Sequence, residues 1–202
     1  VLFTMVLNPQ NSSISPPGVA MDIPISVKLG EFKKFFPQTK VIGTVYTSQF
    51  ALRYEEALDA CDKLGLSLVA KKINSQNEFS GAVDEIIKKV DVFLMIADTN
   101  LYLPKTTEYL LIQCMQRNIP VIGLSSGYAK AGALIAFDCD YKDMGKQTAE
   151  LAARILKGDL TAKKEIILPR KIKYSLNALV AERLGLKLSS EVLERAEEVF
   201  GR

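Results

Sequence analysis

Between residues 40 and 126 the sequence alternates regularly between short, continuously apolar runs and amphipathic stretches, and few folds tolerate that pattern. KVIGTVYT (40–47), LSLVAKKI (66–73), DVFLMIAD (91–98) and IPVIGLSS (119–126) are rich in β-branched and apolar residues. Runs of this kind predict strands buried on both faces. Between them, FALRYEEALDACDKLG (50–65), FSGAVDEIIKKV (79–90) and PKTTEYLLIQCMQRN (104–118) carry helical spacing. Leu52, Leu58, Cys61 and Leu64 fall on one face of the first helix and Gly65 stops it. Pro104 suits the opening turn of the third. Strands spaced by helices build a parallel sheet covered on both faces, so a doubly wound α/β unit is expected from about residue 25 to 126.

Outside this block the chain opens with VLFTMVL, a strand-like run, followed by the linker-like SSISPPGVA (12–20). GALIAFDCDYKDMGKQTAELAARILKGD (132–159) reads as a short strand, an acidic pair around a cysteine (Asp138, Cys139, Asp140), then an amphipathic helix. EIILPRKIKYSLN (165–177) is expected to be extended, interrupted at Pro169. Two short helices are predicted to close the chain, 177–184 ended by Gly185, and SSEVLERAEEVF, capped by Ser189 or Ser190.

Catalytic templates find few residues to use. The chain has no histidine, which removes Ser-His-Asp and Cys-His pairs and imidazole metal ligands. Gly127 and Gly132 have the spacing of a phosphate loop, but Ala133 and Leu134 stand where Lys-Ser/Thr is required. Cys61, Cys114 and Cys139 are too far apart for a CxxC motif. The first two read as buried small hydrophobes, and Cys139 is the candidate for reactivity. A net charge of +3 does not call for nucleic acid, and the basic stretch 154–173 is broken by Asp159 and Glu165 and reads as solvated surface. Apolar runs such as 92–97 and 121–124 fall far short of the ~20 residues of a membrane helix. No signal peptide is visible, and the chain opens on Val1 without an initiator methionine, so it is not expected to carry a native N-terminus.

In an open parallel sheet, ligands bind where loops diverge at the carboxyl ends of the strands. The polar residues at those ends are Asn8, Thr47 and Ser48, then Asp98, Thr99 and Asn100, then Ser125 and Ser126. Ser48 either caps the following helix or faces a ligand, and Ser125 and Ser126 are either turn residues or ligand contacts. Asp98 lies too far ahead of Pro104 to cap that helix. A carboxylate after six apolar residues reads as a partner for a ligand's ammonium or hydroxyl in preference to a loop-internal hydrogen bond.

VDVFLMIADTN, a helix, then IPVIGLSSGYAKAGALIAFDCDYKDMGKQTAELAARILKGD, and finally NALVAERLGLKLSSEVLERAEEV, resemble the ABC-transporter substrate-binding proteins of the tryptophan/aromatic-amino-acid type. The resemblance covers essentially the whole chain. It implies an α/β, type I periplasmic-binding-protein fold, with Rossmann-like doubly wound parallel sheets and a ligand clamped between two lobes. ADTN is similar to the family's TDN-like strand end, with the order Asp98-Thr99-Asn100 in place of Asp-Asn-Thr. Tyr46-Thr47-Ser48 matches a Tyr-Asn-Pro-Ser-like loop without its Asn-Pro. The resemblance implies that Asp98 holds a positive group and that Thr47, Ser48 and Ser125 supply hydroxyls. Phe50 and Tyr128 would be apolar walls, and Asp138 and Asp140 would lie near the hinge and cleft mouth.

On this basis residues 1–24 are expected to be a remnant of lobe one and a crossover, 25–131 a complete lobe two, and 132–202 crossover segments, a brace helix and terminal helices. Lobe one is expected to be partial. Leu151, Ala152, Ile155 and Leu156 would face its sheet, and either the chain is a fragment of a longer protein or a second copy covers the open faces in a homodimer. The implied role is capture of a small amino-acid-like ligand by hinge closure and delivery to an ABC permease, in the periplasm or at the cell envelope, with no cofactor, metal or catalysis. A ligand-sensing domain of a signalling receptor is the alternative, and a Rossmann-like enzyme a further one.

Overall fold

The computed structural model describes residues 1–7, 9, 16–98, 100–159 and 165–201. The chain divides into two compact units, one made of 1–23 and 138–173, the other of 24–137 and 174–202. The terminal residues 174–202 therefore group with the large α/β unit, apart from the helix that begins at Tyr141.

In the larger unit the predicted alternation is realised as β3 (Val41–Thr47), α2 (Ala51–Lys63), β4 (Ser67–Ile73), α3 (Phe79–Ile86), β5 (Val92–Leu94), α4 (Pro104–Gln116) and β6 (Val121–Gly123). It is preceded by α1 (Ile25–Phe35) and followed by α5 (Ser126–Ala131) and β7 (Ile135–Cys139), and later by β9 (Ile172–Asn177), α7 (Ala178–Arg183), α8 (Ser190–Glu194) and β10 (Glu198–Phe200). The sheet runs β10-β9-β7-β6-β5-β3-β4. β3 pairs in parallel with β4 along seven residues, from Val41↔Ser67 to Thr47↔Ile73, and with β5 at Ile42↔Val92. β5, β6 and β7 continue in parallel. A sheet with helices on both faces has no use for polar alternation, which is why Val92, Phe93 and Leu94 are all buried. Phe79, Ile86, Phe93, Met95, Leu110 and Cys114 belong to one core cluster, packed where α3 and α4 meet the strands. Gly43 permits this closeness: a Cβ there would lie 2.6 Å from Ile86 Cγ2.

In the smaller unit, β1 (Phe3–Val6), β2 (Gly18–Ala20) and β8 (Ile166–Ile167) form a parallel sheet in the order β1-β2-β8. α6 (Tyr141–Leu156) packs on β1 and β2. Asp140 caps this helix, its carboxylate accepting from Asp143 N at 2.9 Å. Its buried side presents Asp143, Met144, Gln147 and Leu151. The polar members are satisfied by the segment between β8 and β9: Arg170 Nε donates to Asp143 Oδ2 at 2.8 Å, and Gln147 Nε2 donates to Leu168 O at 3.0 Å.

Several local expectations are corrected. Leu52 is 68 % exposed, because α2 buries the smaller stripe Ala57, Ala60 and Cys61. Leu156 is 87 % exposed in place of facing the sheet, whereas Leu151 is buried. The stretch GVA of the linker-like 12–20 is strand β2. The last predicted helix stops at Glu194, and Glu198–Phe200 pairs in parallel with β9, Val199 opposite Leu176. Val199 and Phe200 have strand propensity, and the ladder offered by β9 outweighs the helical tendency of the preceding glutamates. Ser189 is the cap of α8, its Oγ accepting from Val192 N at 3.3 Å. Helices α1 and α5 have no counterpart among the sequence-based elements; α1 nevertheless buries Ile25, Leu29 and Phe32 at i, i+4 and i+7.

Candidate functional site

Three neighbouring strands of the larger unit, β3, β5 and β6, end in polar loops. After β5 the chain stays extended and buried through Met95 and Ile96, held by Met95 N donating to Ile122 O at 3.0 Å. It delivers Asp98, which is only 2 % exposed, beside the end of β3. Asp98 Oδ2 accepts from Thr47 Oγ1 at 2.7 Å and from Thr47 N at 3.1 Å. Asp98 Oδ1 accepts from Asn100 N at 2.9 Å, closing a turn within its own loop. Asn100 Nδ2 then donates to Gln49 Oε1 at 3.1 Å, back to the loop after β3. Thr47, Asp98 and Asn100 are thus brought together as the strand-end pattern predicts. One carboxylate oxygen makes a loop-internal hydrogen bond, and the other ties the loop after β5 to the end of β3.

Ser48 is exposed and opens a single 3-10 turn, Ser48–Phe50. It does not cap α2, whose N-cap position is Phe50 without a side-chain hydrogen bond. Phe50 is buried. Ser125 occupies the N-cap position of α5, its carbonyl accepting from Tyr128 N at 2.9 Å. It lines a groove of about 600 Å³ between α4 and α5, whose walls include Tyr102, Leu111, Tyr128, Thr107 and Glu108. Gly123 lets Tyr128 close over β6, since a Cβ there would meet Tyr128 Cβ at 2.7 Å. Asp138 and Asp140 belong to the smaller unit, and Asp140 is engaged as the helix cap. Asn8 and Thr99 lie outside the described residues. Gln49 and Tyr102 join the candidate set only in the structure; in sequence both lie between the predicted strands and helices.

Cys139 is 4 % exposed and donates to Met21 O at 3.5 Å, so the candidate for reactivity is a buried thiol in the smaller unit. Among the described residues no group of three His, Cys, Asp or Glu side chains is placed to hold a metal ion.

Residues 5–200 match the family model of ABC transporter substrate binding proteins. The chain belongs to that family. A tyrosine-binding protein of Clostridioides difficile (strain R20291) is 27% identical over 137 residues, which cover 62% of this chain and 37% of that protein. The chain thus matches little more than a third of that relative's length. Among solved structures, the ABC domain in complex with L-Trp from Streptococcus pneumoniae aligns with a TM-score of 0.75 at 21% identity, over 99% of this chain and 73% of that one. The ligand-free, open structure of a substrate binding protein with adhesive properties from Clostridium difficile aligns at 0.77 and 21% identity, over 100% and 71%. These structural likenesses establish the type I periplasmic-binding-protein-like α/β fold with its parallel sheets.

Both groove tyrosines have hydroxyl pKa values above the ordinary one. Burial pushes the hydroxyl pKa of Tyr102 upward, and the negative charge of Asp98 adds to it. Burial raises that of Tyr128 as well. Their rings offer aromatic surface to the groove, whereas the Tyr102 hydroxyl is itself buried.

Proposed function

We propose that this chain is the ligand-binding part of an ABC transporter's solute-binding component, holding a small amino-acid-like ligand at the strand-end face of its larger unit. The observation that carries this reading is the convergence of Thr47, Ser48, Gln49, Asp98, Asn100 and Ser125 at the carboxyl ends of three adjacent strands. Open parallel sheets take ligands there, and a few placed polar groups beside aromatic walls suit a compact polar molecule with an apolar body. Thr99 completes the proposed set on the larger unit; Asn8 and Asp138 are proposed separately, as ligand-contacting residues of the smaller unit. Aromatic amino acids are the first candidates, because the tyrosine-binding relative and the L-Trp-bound structure carry such ligands by name. The role is extracytoplasmic capture and delivery to a membrane permease, without chemical change to the ligand. No helix among the described residues is long and apolar enough to cross a membrane.

A thermal-shift screen against the common amino acids tests the proposal. One or a few aromatic amino acids should raise the melting temperature, with stabilisation near 2.7 kcal/mol when ligand is at about 100 times Kd. Ligand recovered after incubation should be chemically unchanged by mass spectrometry. A cooperative melt unmoved by every amino acid would overturn the binding role, and recovery of a product would favour an enzyme.

A further inference from the structure

Asp98 is the sole acidic residue in the loops that follow β3, β5 and β6, so it is the one carboxylate available there to meet a ligand's ammonium group. Its geometry points to another task. Oδ2 is filled by two donors of Thr47, the amide and the hydroxyl, and Oδ1 accepts the amide of Asn100. A carboxylate offers about four lone-pair sites, so three of them are already committed. With the side chain 2 % exposed, a hydrated ammonium has almost no surface to approach. Reaching the carboxylate would mean breaking charge-assisted bonds that hold two loops in register. The residues these bonds position are themselves outward: Ser48, Gln49 and Asn100 are exposed, and the Asn100–Gln49 bond continues the same tie.

We infer that Asp98 is a positioning residue: it latches the Thr47–Gln49 turn to the Asn100 turn, and the ligand is met on this face by neutral donors and acceptors. Resting on the function proposed above, this deepens the ligand class. The strand-end loops should give aromatic propionates lacking the amino group the same contacts as the corresponding amino acids, because their one carboxylate, Asp98, is engaged, and Glu108 on α4 is the groove carboxylate left to meet an amine.

The latch can be tested in ligand-free protein by amide hydrogen exchange. The amides of Thr47 and Asn100 should be protected in the wild type, and both should exchange at least about ten-fold faster in Asp98→Ala, while Ile42 in the same sheet is unchanged. Equal exchange in the two proteins would overturn the inference. Should Asp98→Ala fail to fold, Thr47→Val, which removes only the hydroxyl donor, replaces it: faster exchange at Asn100 supports the latch and unchanged exchange overturns it. The ligand class is tested by titrating L-tyrosine and 3-(4-hydroxyphenyl)propanoate into the wild type and Asp98→Asn. A positioning role predicts that Asp98→Asn weakens both ligands by the same factor. A loss of about thirty-fold or more for L-tyrosine alone would place the carboxylate on the ammonium and overturn the inference. If the wild type binds neither ligand, the proposed function fails, and the exchange data still decide the latch.

Discussion

Asn177 satisfies two backbone groups with one carboxamide. Its Oδ1 accepts from Val180 N at 3.0 Å, capping α7, while its Nδ2 donates to Ala129 O at 2.8 Å near the end of α5. At 7 % exposure neither partner has ready access to water. Asn177→Ala should therefore destabilise the protein by about 1–3 kcal/mol, read as a lower urea midpoint at unchanged slope. The residue was legible in sequence as the start of a predicted helix; its second hydrogen bond was not, because Ala129 is 48 positions away. Cysteine chemistry follows the same logic of burial. Burial pushes the Cys61 thiol up to about 11 and the Cys114 thiol up to about 12, and Cys139 is buried too. Alkylation of the native protein at mildly alkaline pH, followed by mass spectrometry, should leave all three unmodified, with full labelling only after unfolding. Sequence spacing identified the first two as apolar-face residues, whereas the burial of Cys139, the candidate for reactivity, is set by the fold.

At the scale of elements, α6 depends on an ion pair that its amphipathic pattern does not reveal. Leu151 is an expected apolar contact and Met144 joins it, yet Asp143 and Gln147 share the buried side and are matched by the segment around Arg170. The hydrogen bond from Arg170 holds the Asp143 carboxyl below its ordinary value of 3.8, its charge adding to the effect against the opposing influence of burial. A carboxyl depressed in the folded state contributes stability that is complete above the unfolded pKa, and loses it as pH falls through the folded value. Arg170→Met should thus melt lower than the wild type at neutral pH, with the gap closing below about pH 4, as read by paired thermal melts across pH. Gly43 makes a separate demand: Gly43→Ala should cost about 1–3 kcal/mol in a chemical denaturation series, because its Cβ would press on Ile86 and Val90. Strand identity from residue 40 to 126 was legible because buried parallel strands carry an unbroken apolar signal. β10 was not, since only its pairing with β9, more than twenty residues earlier, makes a strand of a segment rich in glutamate.

For the molecule as a whole, the chain passes between its two units three times, after residues 23, 137 and 173. Local pattern marks helices and strands, but it carries no record of which unit a returning segment joins, and 174–202 joins the larger unit through long-range bonds such as Asn177 N to Leu134 O. The candidate site divides in the same way. Its location at strand ends was legible from the polar residues that follow apolar runs. Its internal wiring was not, because Thr47 and Asp98 meet across 51 positions of sequence. The central claim is that the larger unit receives a small amino-acid-like ligand at these strand ends. Nuclear magnetic resonance titration of isotope-labelled protein with L-tyrosine and L-tryptophan tests it most directly. The account predicts saturable shifts concentrated at residues 47–50, 98–101 and 125–128 for at least one of the two. Saturable shifts confined to other parts of the chain, or none with either amino acid in a folded sample, would contradict it.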